Sequence, residues 1–202
     1  MKINDKIFIH PTSLVETNQI GRGTHIWAFT HVLKGAKIGA QCNIGDHCFI
    51  ETGVNIGDNV TVKNGNKIWE GVTLNNGAFV GPSASSPTDD LYPRSPLLPH
   101  TKARYNVRQW LVTTHIQEGA TVGAGAVIIA GKRIGEFAIV CAGTVVTKNV
   151  PAHALVAGDP VRVLGWVCQC GQLLKFHNEC ARCEPCELTY VKHNGGIKLA
   201  IF

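Results

Sequence analysis

The 202-residue chain has no apolar run approaching the roughly 20 residues that a membrane-spanning helix needs. Its opening, Met1-Lys2-Ile3-Asn4-Asp5-Lys6, leads into no signal-peptide core. These two absences make the cytoplasm the expected compartment and exclude membrane insertion from the expected partners. A basic block is missing too. The formal charge is +5, yet Lys and Arg are scattered and no aromatics interleave with them, which argues against nucleic acid. The mild positive balance suits anionic small molecules. The hydrophobic pattern also lacks the helical repeat of about 3.6 residues and the strand repeat of about 2. At 45% hydrophobic content the chain still suffices for a full core, with room for one domain and a small appendage.

What it has instead is a period of six. From Leu14 an aliphatic residue recurs at Ile20, Ile26, Val32, Ile38, Ile44, Ile50, Ile56, Val62, Ile68, Leu74 and Val80. Such a period marks one flat side per repeat of a parallel β-helix, each hexapeptide supplying a short strand and a corner. Gly follows the aliphatic residue at Gly21, Gly39, Gly45, Gly57 and Gly81, where a corner needs either an unusual φ or a close backbone approach. The register lapses after Val80 and returns at Ile116, Val122, Ile128, Ile134, Val140 and Val146, with Gly123 and Gly135 in the following position. Residues 82–109 between them carry Pro82, Pro87, Pro93, Pro96 and Pro99 among Ser and Asp, the composition of an irregular loop. A loop of this length in a compact domain usually lines or covers a site. The expected class is all-β, with a parallel β-helix domain over 1–166, the loop inserted at 82–109, and an appendage over 167–202.

Cysteine divides the chain the same way. Cys42, Cys48 and Cys141 occur singly inside the repeats and read as small buried hydrophobes. Cys168, Cys170, Cys180, Cys183 and Cys186 crowd together after the repeats end. Two close pairs flanking Leu173, Leu174 and Phe176 give thiolates able to converge on zinc, so a small zinc ribbon is expected. Spacing leaves the second pair open between Cys180/Cys183 and Cys183/Cys186, with His177 and Cys180 as substitutes. Four thiolates would make the zinc structural, since no coordination position remains for chemistry.

The repeats resemble the hexapeptide-repeat acyltransferases, and more specifically the nucleotide-sugar N-acetyltransferases. The stretch Ile26-Trp27-Ala28-Phe29-Thr30-His31-Val32 carries this resemblance together with Val62-Lys63-Asn64-Gly65-Asn66-Lys67-Ile68-Trp69-Glu70-Gly71-Val72. Gly81-Pro82, Asp89-Asp90-Leu91-Tyr92-Pro93-Arg94-Ser95, Asn149-Val150-Pro151 and Gly158-Asp159-Pro160-Val161-Arg162 extend it, so that about residues 8–166 are covered. The resemblance implies a left-handed β-helix of triangular section, a homotrimer, and acetyl-CoA lying between neighbouring prisms. It implies transfer of acetyl to the amino group of a nucleotide-linked sugar for bacterial surface glycans. A dTDP-3-amino-3,6-dideoxyhexose is the expected acceptor and a UDP-2-acetamido-3-amino-glucuronate the alternative. Cys-x-x-Cys-x-x-x-Tyr ending at Tyr190 resembles the second knuckle of ribbons appended to some such transferases, which points to Cys168, Cys170, Cys183 and Cys186 as the zinc ligands.

Residue roles follow from matching these motifs. Glu70 and Asp90 match two acidic residues that contact the sugar amine, and two carboxylates suit the orientation of an ammonium that must lose a proton. Asn64, Trp69, Asp89, Tyr92 and His31 fall on the sugar-nucleotide side. Arg94 offers bidentate geometry to a pyrophosphate. On the acetyl-CoA side stand Gly123 and Gly125, in coils whose backbone N–H groups would meet the oxyanion. Lys148 and Arg162 join them, placed to meet CoA phosphates. A trimeric β-helix carbonic anhydrase is disfavoured because His25 and His31 are six residues apart instead of five. A noncatalytic scaffold using the flat walls is disfavoured by the long inserted loop.

Overall fold

The computed structural model describes residues 6–86, 99–108 and 110–200. Its main body is a parallel β-helix with three walls. The first wall runs in the order Phe8–Ile9, His25–Ile26, Asn43–Ile44, Thr61–Val62, Phe79–Val80, Thr121–Val122 and Ile139–Val140, and ends in Ala154–Ala157 with Arg162–Trp166 paired antiparallel to it. The second wall contains Leu14–Val15, His31–Val32, Phe49–Ile50, Lys67–Ile68, Ser85–Ser86, Val127–Ile128 and Val145–Val146. The third contains Lys37–Ile38, Asn55–Ile56, Val72–Leu74, Thr114–Ile116 and Arg133–Ile134. Every strand is too short to stand alone. Each is closed by hydrogen bonds to the next coil, as in His25 N–H to Cys42 O (2.8 Å) and Trp27 N–H to Ile44 O (2.9 Å).

The aliphatic residue at every sixth position points inward, and Ile26, Ile44, Ile50, Ile68, Ile116 and Ile134 are fully buried. Burial of such a side chain contributes about 1.5–3 kcal/mol. A second inner column lies two residues earlier, at Thr24, Thr30, Ala36, Cys42, Cys48, Val54, Val60, Asn66 and onward. Its polar members donate to carbonyls of the following coil: Thr24 Oγ1 to Gly39 O (2.7 Å), Cys42 Sγ to Gly57 O (3.0 Å), Thr30 Oγ1 to Gly45 O (2.7 Å), Cys48 Sγ to Lys63 O (3.3 Å) and Asn66 Nδ2 to Gly81 O (2.9 Å). Cys42 and Cys48 are therefore donors in a ladder as well as buried apolar groups.

The corners settle which property glycine supplies. A Cβ on Gly123 would lie 2.5 Å from Ala142 N, and one on Gly81 would lie 2.7 Å from Ala124 N, so glycine after the aliphatic residue permits adjacent coils to approach. The left-handed φ falls two residues later, at Gly23 (69°), Gln41 (56°) and Gly53 (79°) among others.

The helix also continues one step past the last aliphatic residue of the first block. Ser86, six after Val80, is buried, and Ser85–Ser86 pairs in register with Lys67–Ile68. A polar residue in the column hid this strand from the aliphatic pattern. The excursion contains one α-helix among its described residues, Pro99–Asn106, opening on proline, which suits a helix's first turn. Beyond Trp166 a three-stranded antiparallel sheet forms from Cys180–Cys183, Leu188–His193 and Gly196–Leu199. Its own small core holds Cys168, Leu174, Ala181, Cys183, Tyr190 and Ile197, and Trp166 packs against both this core and that of the β-helix.

Candidate functional site

The inserted segment leaves and re-enters at the corner between the second and third walls, and the acidic residues gather there. Glu70 follows Lys67–Ile68 and Trp69 at this corner. Glu51 follows Phe49–Ile50 one coil earlier, and its Oε2 accepts the Glu70 backbone N–H at 2.8 Å. Arg108, just beyond the helix Pro99–Asn106, pairs with Oε2 of Glu70. The Arg108 guanidinium also lies 5.9 Å from the Trp110 ring centroid. The hydrogen bond and charge of Glu70 push the Arg108 pKa above the usual range. An exposed pair of this kind contributes little to stability.

A ladder of rings leads to this corner along the second wall. His31 Nε2 meets Glu16 Oε1 at 2.9 Å, and its ring meets Phe49 edge-on at 5.7 Å. Phe49 in turn lies 5.6 Å from Trp69. The hydrogen bond to His31 is the main cause holding the Glu16 carboxyl below its usual range. His31 and Trp69 thus share one surface with Glu70.

Asn64 stands elsewhere, at the corner between the first and second walls. There its Nδ2 donates to Asp46 Oδ2 (3.2 Å) and its Oδ1 accepts from Asp46 N–H (3.2 Å), clipping two coils together. Gly123 and Gly125 belong to that corner as well. Gly123 is explained by the close approach of the next coil, while Gly125 has φ 63° and its N–H bonds Pro82 O at 3.0 Å. Lys148 and Arg162 are brought together, lining one cavity of about 230 Å³ with Val150, Pro151, Val156 and Val161. A larger trough of about 670 Å³ runs along the third wall past Lys37, Asn55 and Thr73, but it is open and none of the residues just described lines it. Asp89, Asp90, Tyr92 and Arg94 lie outside the described residues.

In the tail the four cysteines expected to act together do meet. The Sγ atoms of Cys168, Cys170, Cys183 and Cys186 all lie within 4.8 Å of one another. A tetrahedral zinc–thiolate site with bonds of about 2.3 Å has sulfur separations of about 3.8 Å, and Cys170 Sγ to Cys183 Sγ is 3.6 Å. Tyr190 OH contacts Cys168 Sγ at 3.2 Å and accepts the Gln169 N–H at 3.2 Å, bracing the first knuckle. The Gln172 backbone N–H, with hydrogen bonds from neighbouring thiols, lowers the Cys170 pKa to about 7, while the hydrogen bond to Cys170 and burial push Cys186 up to about 12. Cys180 and His177 instead bond each other through the backbone, and neither joins the cluster.

Sequence reasoning missed Arg108, Glu51 and Glu16. Glu51 and Glu16 carry a usable signal, because each directly follows a strand of the second wall and so lands on the corner of Glu70. Arg108 carries none, since it lies outside the hexapeptide register.

Family comparisons agree with this fold. The family model described as bacterial transferase hexapeptide (six repeats) matches residues 19–52 and 41–76, and that described as hexapeptide repeat of succinyl-transferase matches 114–148. These matches flank the excursion. The chain is 46% identical over 194 residues to dTDP-3-amino-3,6-dideoxy-alpha-D-galactopyranose 3-N-acetyltransferase of Aneurinibacillus thermoaerophilus, covering 96% of this chain and 95% of that protein. Such coverage takes the similarity past the β-helix into the cysteine-rich tail. A 2,3,4,5-tetrahydropyridine-2,6-dicarboxylate N-acetyltransferase of Staphylococcus aureus is 51% identical over only 49 residues, 24% of this chain and 20% of that one. Among solved structures, a candidate acetyltransferase from Bacillus cereus covers 81% of this chain and 80% of its own, with a TM-score of 0.51 and 19% identity, a likeness of fold alone.

Proposed function

The chain belongs to the hexapeptide-repeat acetyltransferases, and from that membership we propose that it moves acetyl from acetyl-CoA to the amino group of a nucleotide-linked sugar. Its acceptor in this reading is the 3-amino group of a dTDP-3-amino-3,6-dideoxyhexose. The observation that carries the proposal is the 46% identity across nearly the full length of both this chain and a dTDP-amino-sugar 3-N-acetyltransferase.

The chemistry needs a neutral amine, a thioester carbonyl held close to it, and a destination for one proton. The amine nitrogen attacks the thioester carbon, the C–N bond forms, and the C–S bond breaks. The proton lost by nitrogen passes to the departing sulfur of CoA. Glu70 orients the amine from the corner of the helix, with Asp90 as its proposed partner and Asp89, Tyr92 and Arg94 beside it. Trp69 and His31 meet the nucleotide along the ring ladder. Lys148 and Arg162, which share a cavity, meet the phosphates of CoA. Glu70 sits on a flat-walled prism, and a neighbouring copy in a homotrimer supplies the missing side of the groove.

The four clustered cysteines hold a structural zinc in this reading. Bound there, the metal would cross-link the two knuckles and leave the acetyl transfer to the β-helix. The reaction fits the cytoplasm, where nucleotide-linked sugars and acetyl-CoA are found together.

A panel of amino-sugar nucleotides with acetyl-CoA, read out as free thiol, tests the proposal. The dTDP-linked neutral 3-amino sugar is expected to give the highest kcat/KM. A clear win for the UDP-linked amino-glucuronate would overturn the choice of acceptor, and no thiol release with any of them would overturn the reaction. Glu70→Gln and Asp90→Asn are each expected to lower kcat/KM for the amino sugar on the order of 10² without changing the acetyl-CoA KM.

A further inference from the structure

We infer that Arg108 is a positioning residue for the acetyl transfer, acting through Glu70 and tying the end of the inserted segment to the helix corner where the amine is received. The inference rests on the proposed role of Glu70. Three features of the structure converge on it. Arg108 pairs with one carboxylate oxygen, Oε2, of Glu70. The backbone beneath that carboxylate is fixed independently, because Glu51 Oε2 accepts the Glu70 N–H at 2.8 Å. With its main chain pinned from one coil and its carboxylate drawn from the inserted segment, Glu70 keeps little rotamer freedom.

Arg108 is itself held. It adopts a left-handed φ of 55° where the chain reverses after the helix Pro99–Asn106, and Leu111 N–H closes the turn on Arg108 O at 3.1 Å. That reversal brings Trp110 under the guanidinium, 5.9 Å from Cζ to ring centroid, and an aromatic face holds a guanidinium by cation–π attraction. The pair is 54% exposed on the arginine side and 30% on the glutamate side, so it is reachable by substrate and too weak to serve mainly as a tie of stability. A carboxylate offers about four acceptor sites on its two oxygens, so pairing with one guanidinium is compatible with receiving an ammonium. The same pairing also cancels one negative charge beside the acceptor, which leaves Glu70 an orienting group without making the corner strongly acidic.

Steady-state kinetics of Arg108→Gln, Arg108→Lys, Glu70→Gln and the Arg108→Gln/Glu70→Gln double variant test this, with the amino-sugar nucleotide and acetyl-CoA varied in turn. Arg108→Gln is expected to lower kcat/KM for the amino sugar about tenfold while the acetyl-CoA KM stays within about twofold. Arg108→Lys, which keeps the charge, is expected to recover most of the loss. In the Glu70→Gln background the Arg108→Gln change is expected to cost no more than about twofold, because the group it positions has already gone. Wild-type kinetics for Arg108→Gln, fully additive losses, or a parallel rise in the acetyl-CoA KM would overturn the assignment. Wild-type kinetics for Glu70→Gln would overturn the role of Glu70, and that of Arg108 with it.

Discussion

The β-helix and the cysteine-rich tail solve the same problem in opposite ways. In the helix the interior is a column of Ile, Val and Leu backed by the second column two residues earlier, both renewed from coil to coil. Among the described residues the tail's core cluster holds six buried residues, two of them cysteines that also belong to the four-thiol cluster. A repeat structure sums many similar nearest-neighbour terms, so no single residue decides its fate. A core as small as the tail's is expected to need a cross-link to offset the entropy of ordering its own strands, and the proposed zinc would supply one. Regular burial therefore makes one region tolerant, and sparse burial makes the other conditional.

Metal removal is the strongest way to break that comparison. Structural zinc in small domains supplies about 10–16 kcal/mol of apparent folding free energy. Chelation, or Cys183→Ser, is expected to release hydrogen-exchange protection in Cys180–Cys183, Leu188–His193 and Gly196–Leu199 while the walls of the helix keep theirs. One metal per chain should be found by elemental analysis of protein purified without chelator. Metal-free protein with an ordered tail would show that the six buried residues suffice unaided. Trp166, packed against both cores, is where any loss would reach the helix first.

Glycine sharpens the comparison at smaller cost. A methyl on Gly123 would press against Ala142 N, backbone that cannot move aside, so Gly123→Ala is expected to lose about 1–3 kcal/mol by overpacking. Gly171 in the tail has φ 85° and nothing within 4 Å of where a methyl would stand, so Gly171→Ala strains only the local backbone, by about 1–2 kcal/mol. Denaturant midpoints compare the two. A loss of acetyl-CoA affinity by Gly123→Ala without loss of stability would support the expected place of Gly123 on the acetyl-CoA side.

These differences also explain what was legible. The period of six gave the walls and their order because each inward position repeats one requirement. The period faltered at Ser86, where a polar residue fills the column yet still pairs with Ile68. The four cysteines were readable because thiolates at close spacing share one purpose. Spacing alone left Cys186 and Cys180 open, the knuckle ending at Tyr190 pointed to Cys186, and the fold turns Cys180 into a strand partner of Val191. Glu70 stood out beside a matched motif, but Arg108 did not. Its pairing depends on where an excursion without periodicity returns to the wall. The donors among the inner cysteines were hidden as well, since composition records a small residue and not the carbonyl facing it.

The finest test of the comparison uses cysteine in its other role. Cys42 is buried and donates to Gly57 O at 3.0 Å, continuing the ladder that Thr24 begins with its hydroxyl to Gly39 O. Cys42→Thr keeps a donor and is expected to stay within about 0.5–1.5 kcal/mol of the parent, while Cys42→Val leaves the carbonyl unpaired and costs about 1 kcal/mol more. Burial raises the Cys42 and Cys48 pKa values above the usual thiol range. The native state thus holds these protons more tightly than the unfolded chain does. Their contribution to stability is full below about pH 9 and is lost as pH rises through the raised native values. Denaturant midpoints measured across that range should fall more steeply for the parent than for a Cys42→Thr/Cys48→Thr variant. A metal bound at the tail would hold its thiols as thiolates, so a metal-loaded protein should lose stability on the acid side as protons compete for the cluster. Equal pH profiles for the parent and the double threonine variant above about pH 9 would show that the helix cysteines contribute packing alone.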